Sequence, residues 1–189
     1  MVGQWPLKPL ILVRIQASQH MNDRQEIIPY EEVFRALNIA KINYVVCGGA
    51  AVVLFGFARL TIDLDLIVGL DEVNLERLYE VLKQLNYQPS IPIKKEEFVR
   101  KEKLRRLAIE KNMKVVSFHN LEDPFKVIDI GVNLPQVSEI LKSKKYIKVD
   151  NLNIPTISIN NLIKMKENLG RKQDLIDVEN LKRIKEQKR

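Results

Sequence analysis

The stretch from Tyr44 to Val68 leaves this chain few ways to fold. It opens on an apolar run, Tyr44-Val45-Val46-Cys47, that reads as a buried strand. Gly48-Gly49 then makes a tight turn, and Ala50 to Gly56 suits one short helix. Ile62 to Val68 reads as a second strand carrying two acids. Successive side chains on a strand alternate between faces. Asp63 and Asp65 therefore share one face, while Leu64, Leu66 and Val68 point the other way, into a core. Arg59 and Thr61 have the same parity, so an extended backbone lines Arg59, Thr61, Asp63 and Asp65 along one side.

Two carboxylates side by side repel each other unless a cation sits between them. An all-oxygen ligand set suits Mg²⁺ or Mn²⁺, and Mg²⁺ completes its shell with water and substrate phosphate. The Gly48-Gly49 turn opens a helix, so its backbone N–H groups are placed to hold phosphate. A metal site beside a phosphate cradle implies phosphoryl or nucleotidyl transfer. Asp129 adds to this set. It stands in Lys126-Val127-Ile128-Asp129-Ile130, where a charge conflicts with burial of the strand. A metal partner removes the conflict; an Asp at a strand end facing water is the alternative. Asp123 precedes Pro124 and belongs to a turn.

Gly48-Gly49, the run Arg59-x-Thr61-x-Asp63-x-Asp65 and the later strand Asp129 together resemble the polymerase-β-type nucleotidyltransferase superfamily. Within it the pattern is similar to the AbiEii-type toxins and their small relatives, over about residues 30 to 182. The C-terminal part adds to the likeness. Leu162-Ile163-x-x-Lys166 is followed by Arg171-Lys172-Gln173-Asp174-Leu175-Ile176-Asp177, as in that branch. The resemblance implies an α/β fold with a mixed, mainly antiparallel sheet flanked by helices and a short helical C-terminal extension. It implies an enzyme that moves a nucleoside monophosphate from an NTP, ATP included, to an acceptor. Asp63, Asp65 and Asp129 would hold two divalent metals. Gly48, Gly49, Arg59 and Lys166 would meet the triphosphate, Thr61 would orient an Asp, and Asp174 would support Lys166. The acceptor is left open between tRNA, a protein and a small molecule. A toxin–antitoxin role with an antitoxin partner and an antibiotic-type small-molecule modifier both fit the residues, while the intact carboxylate trio argues against a non-catalytic binding module that keeps the fold. Many members carry Gly-Ser where this chain has Gly48-Gly49, a departure that weakens the match to the antibiotic-modifying branch. Lys166 reads as a solvent-facing helix side chain, so Lys166→Ala is expected to leave the fold intact.

The remaining sequence sets bounds. A chain of 189 residues fits one compact domain with a small appendage. A net charge of +7 favours anionic partners such as NTP or RNA, although Lys-rich surfaces are also common. The single Cys47 excludes a disulfide framework and reads as core filler. No segment has the length of a membrane-spanning helix, so a cytoplasmic protein away from the membrane is expected.

Residues 1–20 read as a leader outside the domain, with Met21 a possible native start. Residues 21–150 would form the catalytic core and 151–189 a hairpin and helical extension. Helices are expected at Pro29–Ala40, from an Asp71 cap to Leu85, and over Glu96–Lys111. The last is a charged run that is either a solvated face or an electrostatic rim. Gln88–Ile93, with two prolines, reads as loop. Val115–Phe118 and Phe125–Ile130 read as paired strands. Ser158 and Gly170 should start and stop a helix.

Overall fold

The computed structural model describes residues 30–187; the expected leader, the Met21 start and the first residue of the Pro29 helix lie outside them. Helix α1 (Glu31–Ile39) buries Val33, Phe34 and Leu37, which fall on one stripe at helical spacing. Strand β1 (Tyr44–Val46) is buried on both faces, and helix α2 (Gly48–Leu54) follows it directly. Strand β2 is Asp63–Val68. Helix α3 (Glu72–Gln84) begins where the Asp71 carboxylate accepts the Asn74 N–H at 2.9 Å. Leu75, Leu78 and Leu82 on its inner stripe have no exposed surface.

Strand β3 (Tyr87–Pro89) comes next, then helices α4 (Lys95–Phe98) and α5 (Lys101–Glu110). Strands β4 (Val115–Asn120) and β5 (Val127–Gly131) are followed by helix α6 (Val137–Lys142). Strands β6 (Lys145–Val149) and β7 (Leu152–Thr156) make a hairpin. Helices α7 (Ile159–Leu169) and α8 (Lys172–Gln187) complete the described chain.

The strands form one sheet in the order β3-β4-β5-β2-β1-β7-β6. β2–β5 and β1–β7 pair parallel and the other neighbours antiparallel, so the sheet is mixed and mainly antiparallel. Its centre, β5-β2-β1, carries Ile128, Leu64 and Val45 at zero exposure. The α/β architecture is the one expected.

Three elements differ from expectation. Gln88 and Pro89 belong to β3, not to a loop, with Pro89 opposite Phe118. β3 is an edge strand, where a missing N–H leaves no ladder bond broken on the open side. The expected single helix over Glu96–Lys111 is two helices, because Arg100 takes an extended backbone between them. That break lets Phe98 turn fully inward, where its ring meets those of Tyr79 and Phe118 at 5.7 and 5.3 Å. The β6–β7 hairpin also joins the sheet, through Thr156 opposite Val46.

Candidate active site

Parallel pairing of β2 with β5 sets Asp65 directly opposite Asp129. Asp63, two residues earlier on β2, shares their face. All three line one cavity of about 360 Å³. Gly48, Gly49, Arg59, Thr61 and Lys166 line it as well. Asp174 does not line it and acts from behind. Sequence positions 48 to 166 are thus gathered around one space by the crossing of β5, β2 and β1.

The turn is built for close approach. Gly48 has φ +58°, a left-handed backbone that side chains rarely adopt. A Cβ there would lie 1.7 Å from Asp65 Oδ2. The Gly49 N–H donates to the Asp65 carboxylate, so in this state one amide expected to meet phosphate holds the acid. The Cys47 N–H donates to the Asp65 carbonyl at 2.9 Å, which fixes the strand beside the turn. Thr61 packs over Gly49 and its hydroxyl donates to the Asp63 carbonyl at 3.3 Å, steering the backbone rather than the carboxylate. Tyr30, in α1's lead-in, accepts the Val127 N–H at 3.1 Å and donates to the Ile62 carbonyl at 2.7 Å. It ties the starts of β2 and β5 together.

The acids are under electrostatic pressure. Burial pushes the Asp65 carboxyl above its ordinary value, with further upward push from Asp129 and Asp63, against the Gly49 bond and Lys166. Asp63 is raised by burial and then by Asp129. Asp129 Oδ1 is buried with no hydrogen-bond partner. A buried, unpartnered carboxylate oxygen beside other acids is costly unless a cation completes it. The residues therefore fit a divalent cation: hard oxygen donors, clustered like charge and an orphaned acceptor. Among the described residues no three or more His, Cys, Asp or Glu side chains are grouped so that they alone could hold a metal ion. Water and phosphate would complete such a shell.

The cations sit opposite. Lys166, expected to face solvent, is instead buried at 3% exposure. Its Nζ bonds Asp174 Oδ1 at 3.0 Å and Asp177 Oδ2 at 2.7 Å, because a buried ammonium requires paired acceptors. Arg171 Nε donates to Asp174 Oδ2 at 2.6 Å. Burial works against the Asp174 charge, but the bonds from Arg171 and Lys166 outweigh it and hold that carboxyl below its ordinary value. Arg59 Nη1 bonds Asp177 Oδ2 at 2.5 Å. Asp177, Lys114 and Arg171 were not among the expected site residues. Arg171 and Lys114 line the cavity, and Asp177 is fully buried behind it. The Asp-x-x-Asp spacing of 174 and 177, one turn apart on one face of α8, is the signal that finds Asp177.

A larger cavity, about 660 Å³, opens where β2 and β5 end, with Leu134 on the wall of both. Its charges are Asp71, Glu72, Lys101, Glu102, Arg105 and Glu139. They are spread over α3, α5 and α6 with no converging acids, so the smaller cavity is the candidate site.

No protein-family model matches the chain, and no curated protein matches it. Solved structures do. A lincosamide antibiotic adenylyltransferase, LnuA, solved with lincomycin bound, superposes with a TM-score of 0.54 at 16% identity, over 81% of this chain and 94% of that one. A protein assigned as a nucleotidyltransferase from Thermotoga maritima gives a TM-score of 0.48 at 15% identity, over 79% and 87%. An antigenic nucleotidyltransferase-like protein from Paracoccidioides brasiliensis gives 0.49 at 14%, over 79% and 72%. The first likeness shows that the chain has the nucleotidyltransferase fold. Among the described residues no helix is long and apolar enough to cross a membrane.

Proposed function

We propose that this protein is a metal-dependent nucleotidyltransferase that moves a nucleoside monophosphate from an NTP to an acceptor hydroxyl or phosphate. One observation carries the reading. Three carboxylates from two paired strands share a cavity with a glycine turn, and one of them, Asp129, holds a buried oxygen without a partner. Asp63, Asp65 and Asp129 would hold Mg²⁺ or Mn²⁺. When bound, the metal supplies positive charge against the triphosphate and makes an acceptor hydroxyl easier to deprotonate.

The chain's own residues divide the remaining work. Gly48 and Gly49 let the triphosphate approach the backbone, since any side chain at Gly48 would occupy the place of Asp65. Arg59 and Lys166 face the same space and would offset charge on the departing pyrophosphate. Lys166 donates to Asp174 and forms an ion pair with Asp177, and an N–H not used there would point at substrate. Asp129, opposite Asp65, would hold the cation nearest the acceptor and so favour the acceptor's deprotonated form.

The acceptor we favour is tRNA or a protein, in a cytoplasmic AbiEii-like toxin–antitoxin setting, supported by the C-terminal Lys166 and Arg171–Asp177 pattern. The likeness to LnuA keeps a small-molecule acceptor as the second reading.

The test uses α-³²P-labelled NTPs with MgCl₂, total tRNA and cell lysate. Label should pass to RNA or to a protein band with the wild-type chain and not with Asp63→Asn/Asp65→Asn. Label in a small molecule selects the second reading. An absence of Mg²⁺-dependent nucleotide binding by calorimetry would make the chain a non-catalytic module.

A further inference from the structure

Helix α8 supplies no wall of the candidate active site. The cavity is lined from α7 by Met165, Lys166 and Leu169 and from the following turn by Arg171, with nothing from Lys172–Gln187. Yet Asp177 of α8 has no exposed surface and reaches two cations that do line the cavity. Its Oδ2 accepts Arg59 Nη1 at 2.5 Å and forms an ion pair with Lys166 Nζ at 2.7 Å. Its Oδ1 accepts Gln173 Nε2 at 3.2 Å, which stops the carboxylate from rotating. Arg59 belongs to the segment leading into β2, and Lys166 to α7. One buried oxygen, 118 residues beyond Arg59 in sequence, thus joins the two halves of the cation wall.

On this basis we infer that Asp177 is the positioning residue of the phosphate site, setting Arg59 and Lys166 in one geometry so that they act on the triphosphate as a unit. The inference rests on the nucleotidyltransferase reading above. Asp174 has a different reach: it bonds Lys166 and Arg171, both from the C-terminal segment, and does not touch Arg59. A long arginine with one-fifth of its side chain exposed keeps many rotamers unless it is anchored. Anchoring it beforehand lowers the ordering cost of binding an anion. The same carboxylate is too deep to meet substrate itself, since its oxygens already hold three partners.

The probes are ATP and inorganic tripolyphosphate, titrated with MgCl₂ into the full chain by calorimetry, well below the melting temperature. The wild type should bind both. Asp177→Asn removes the charge, and Asp177→Glu keeps it but moves it by one methylene. Each should weaken both ligands about tenfold, the scale of one charge-assisted hydrogen bond. In an Arg59→Ala background, Asp177→Asn should weaken binding further by less than about threefold, because part of its action runs through Arg59. Melting curves show that each variant is folded, and Asp177→Glu carries the test if Asp177→Asn does not fold. Wild-type affinity in both variants would make Asp177 a structural ion-pair partner only and overturn the inference while leaving the nucleotide reading intact. Tighter binding would overturn it too, by showing that Asp177 competes with phosphate for the cations. Failure of the wild type to bind either probe would overturn the nucleotide reading and this inference together.

Discussion

Asp65 ties protonation to stability. Its carboxyl is raised from the ordinary 3.8 by burial, Asp129 and Asp63, so the folded chain keeps this proton more tightly than the unfolded chain. The stability contributed by such a group is fully present below the unfolded value and is lost as pH rises through the folded value. Asp174 has the opposite sign: its carboxyl is lowered, and its contribution is lost as pH falls. In metal-free buffer, the stability of Asp65→Asn relative to wild type should therefore rise as pH climbs above the ordinary carboxyl value of 3.8. Adding MgCl₂ should shrink the gap, because only the acid can use the cation. Denaturant melts at several pH values measure this, and a gap that ignores pH would refute it. At this scale the sequence was a good guide to which residues meet and a poor one to their surroundings. Parity alone put Asp63 and Asp65 on one face. The burial of Lys166 was hidden, because it depends on two acids a turn apart on a different helix. Lys166→Ala would leave those acids buried with less compensation, so it costs stability as well as binding.

Among elements, the strand–turn–helix unit of β1 and α2 is the least forgiving. Gly48→Ala combines a left-handed φ of +58° with a Cβ placed 1.7 Å from Asp65 Oδ2. Gly170 ends α7 at φ +63°, but its nearest neighbour to a Cβ is the Glu167 carbonyl at 3.8 Å. Gly170→Ala should cost about 1 kcal/mol from backbone strain alone. Gly48→Ala should cost about 3 kcal/mol and abolish Mg²⁺-dependent ATP binding, because the acid must move. Chemical denaturation and calorimetry on the pair separate strain from displacement, and equal costs would show that Asp65 yields freely. Caps were readable because they are local: Asp71 and Ser158 each bond the N–H three residues on. The α4–α5 break and β3 were not, since Phe98 turns in to meet Tyr79 and Phe118 from other elements, and Pro89 is tolerated only because β3 has an open edge.

For the whole molecule, the sheet order places β7 beside β1, the strand that carries the glycine turn. The Ile157 N–H donates to the Val46 carbonyl at 2.9 Å, and Ile154, Ile157, Leu162 and Leu181 are fully buried. A chain ended after residue 150 would expose the β1 edge and remove these side chains, each contributing about 1.5–3 kcal/mol when buried. It should show no cooperative thermal transition by circular dichroism. A sharp melt would prove that residues up to 150 fold alone. The hairpin was the part of the sheet least legible beforehand. β6 keeps all five of its side chains at least partly exposed and carries Lys145 and Lys148, so it lacks the apolar run that announces a central strand.

The separation between Arg59 and Asp177 also has a consequence in time. The glycine turn and the acids leave the ribosome before the carboxylate that joins the two cations, which follows Arg59 by 118 residues. A nascent chain can pair β1, β2 and β5 before α8 exists, with Arg59 unanchored. The pairing of Arg59 with Lys166 would therefore wait for α8, so a chain halted before Asp177 would carry the acids without the joined cations.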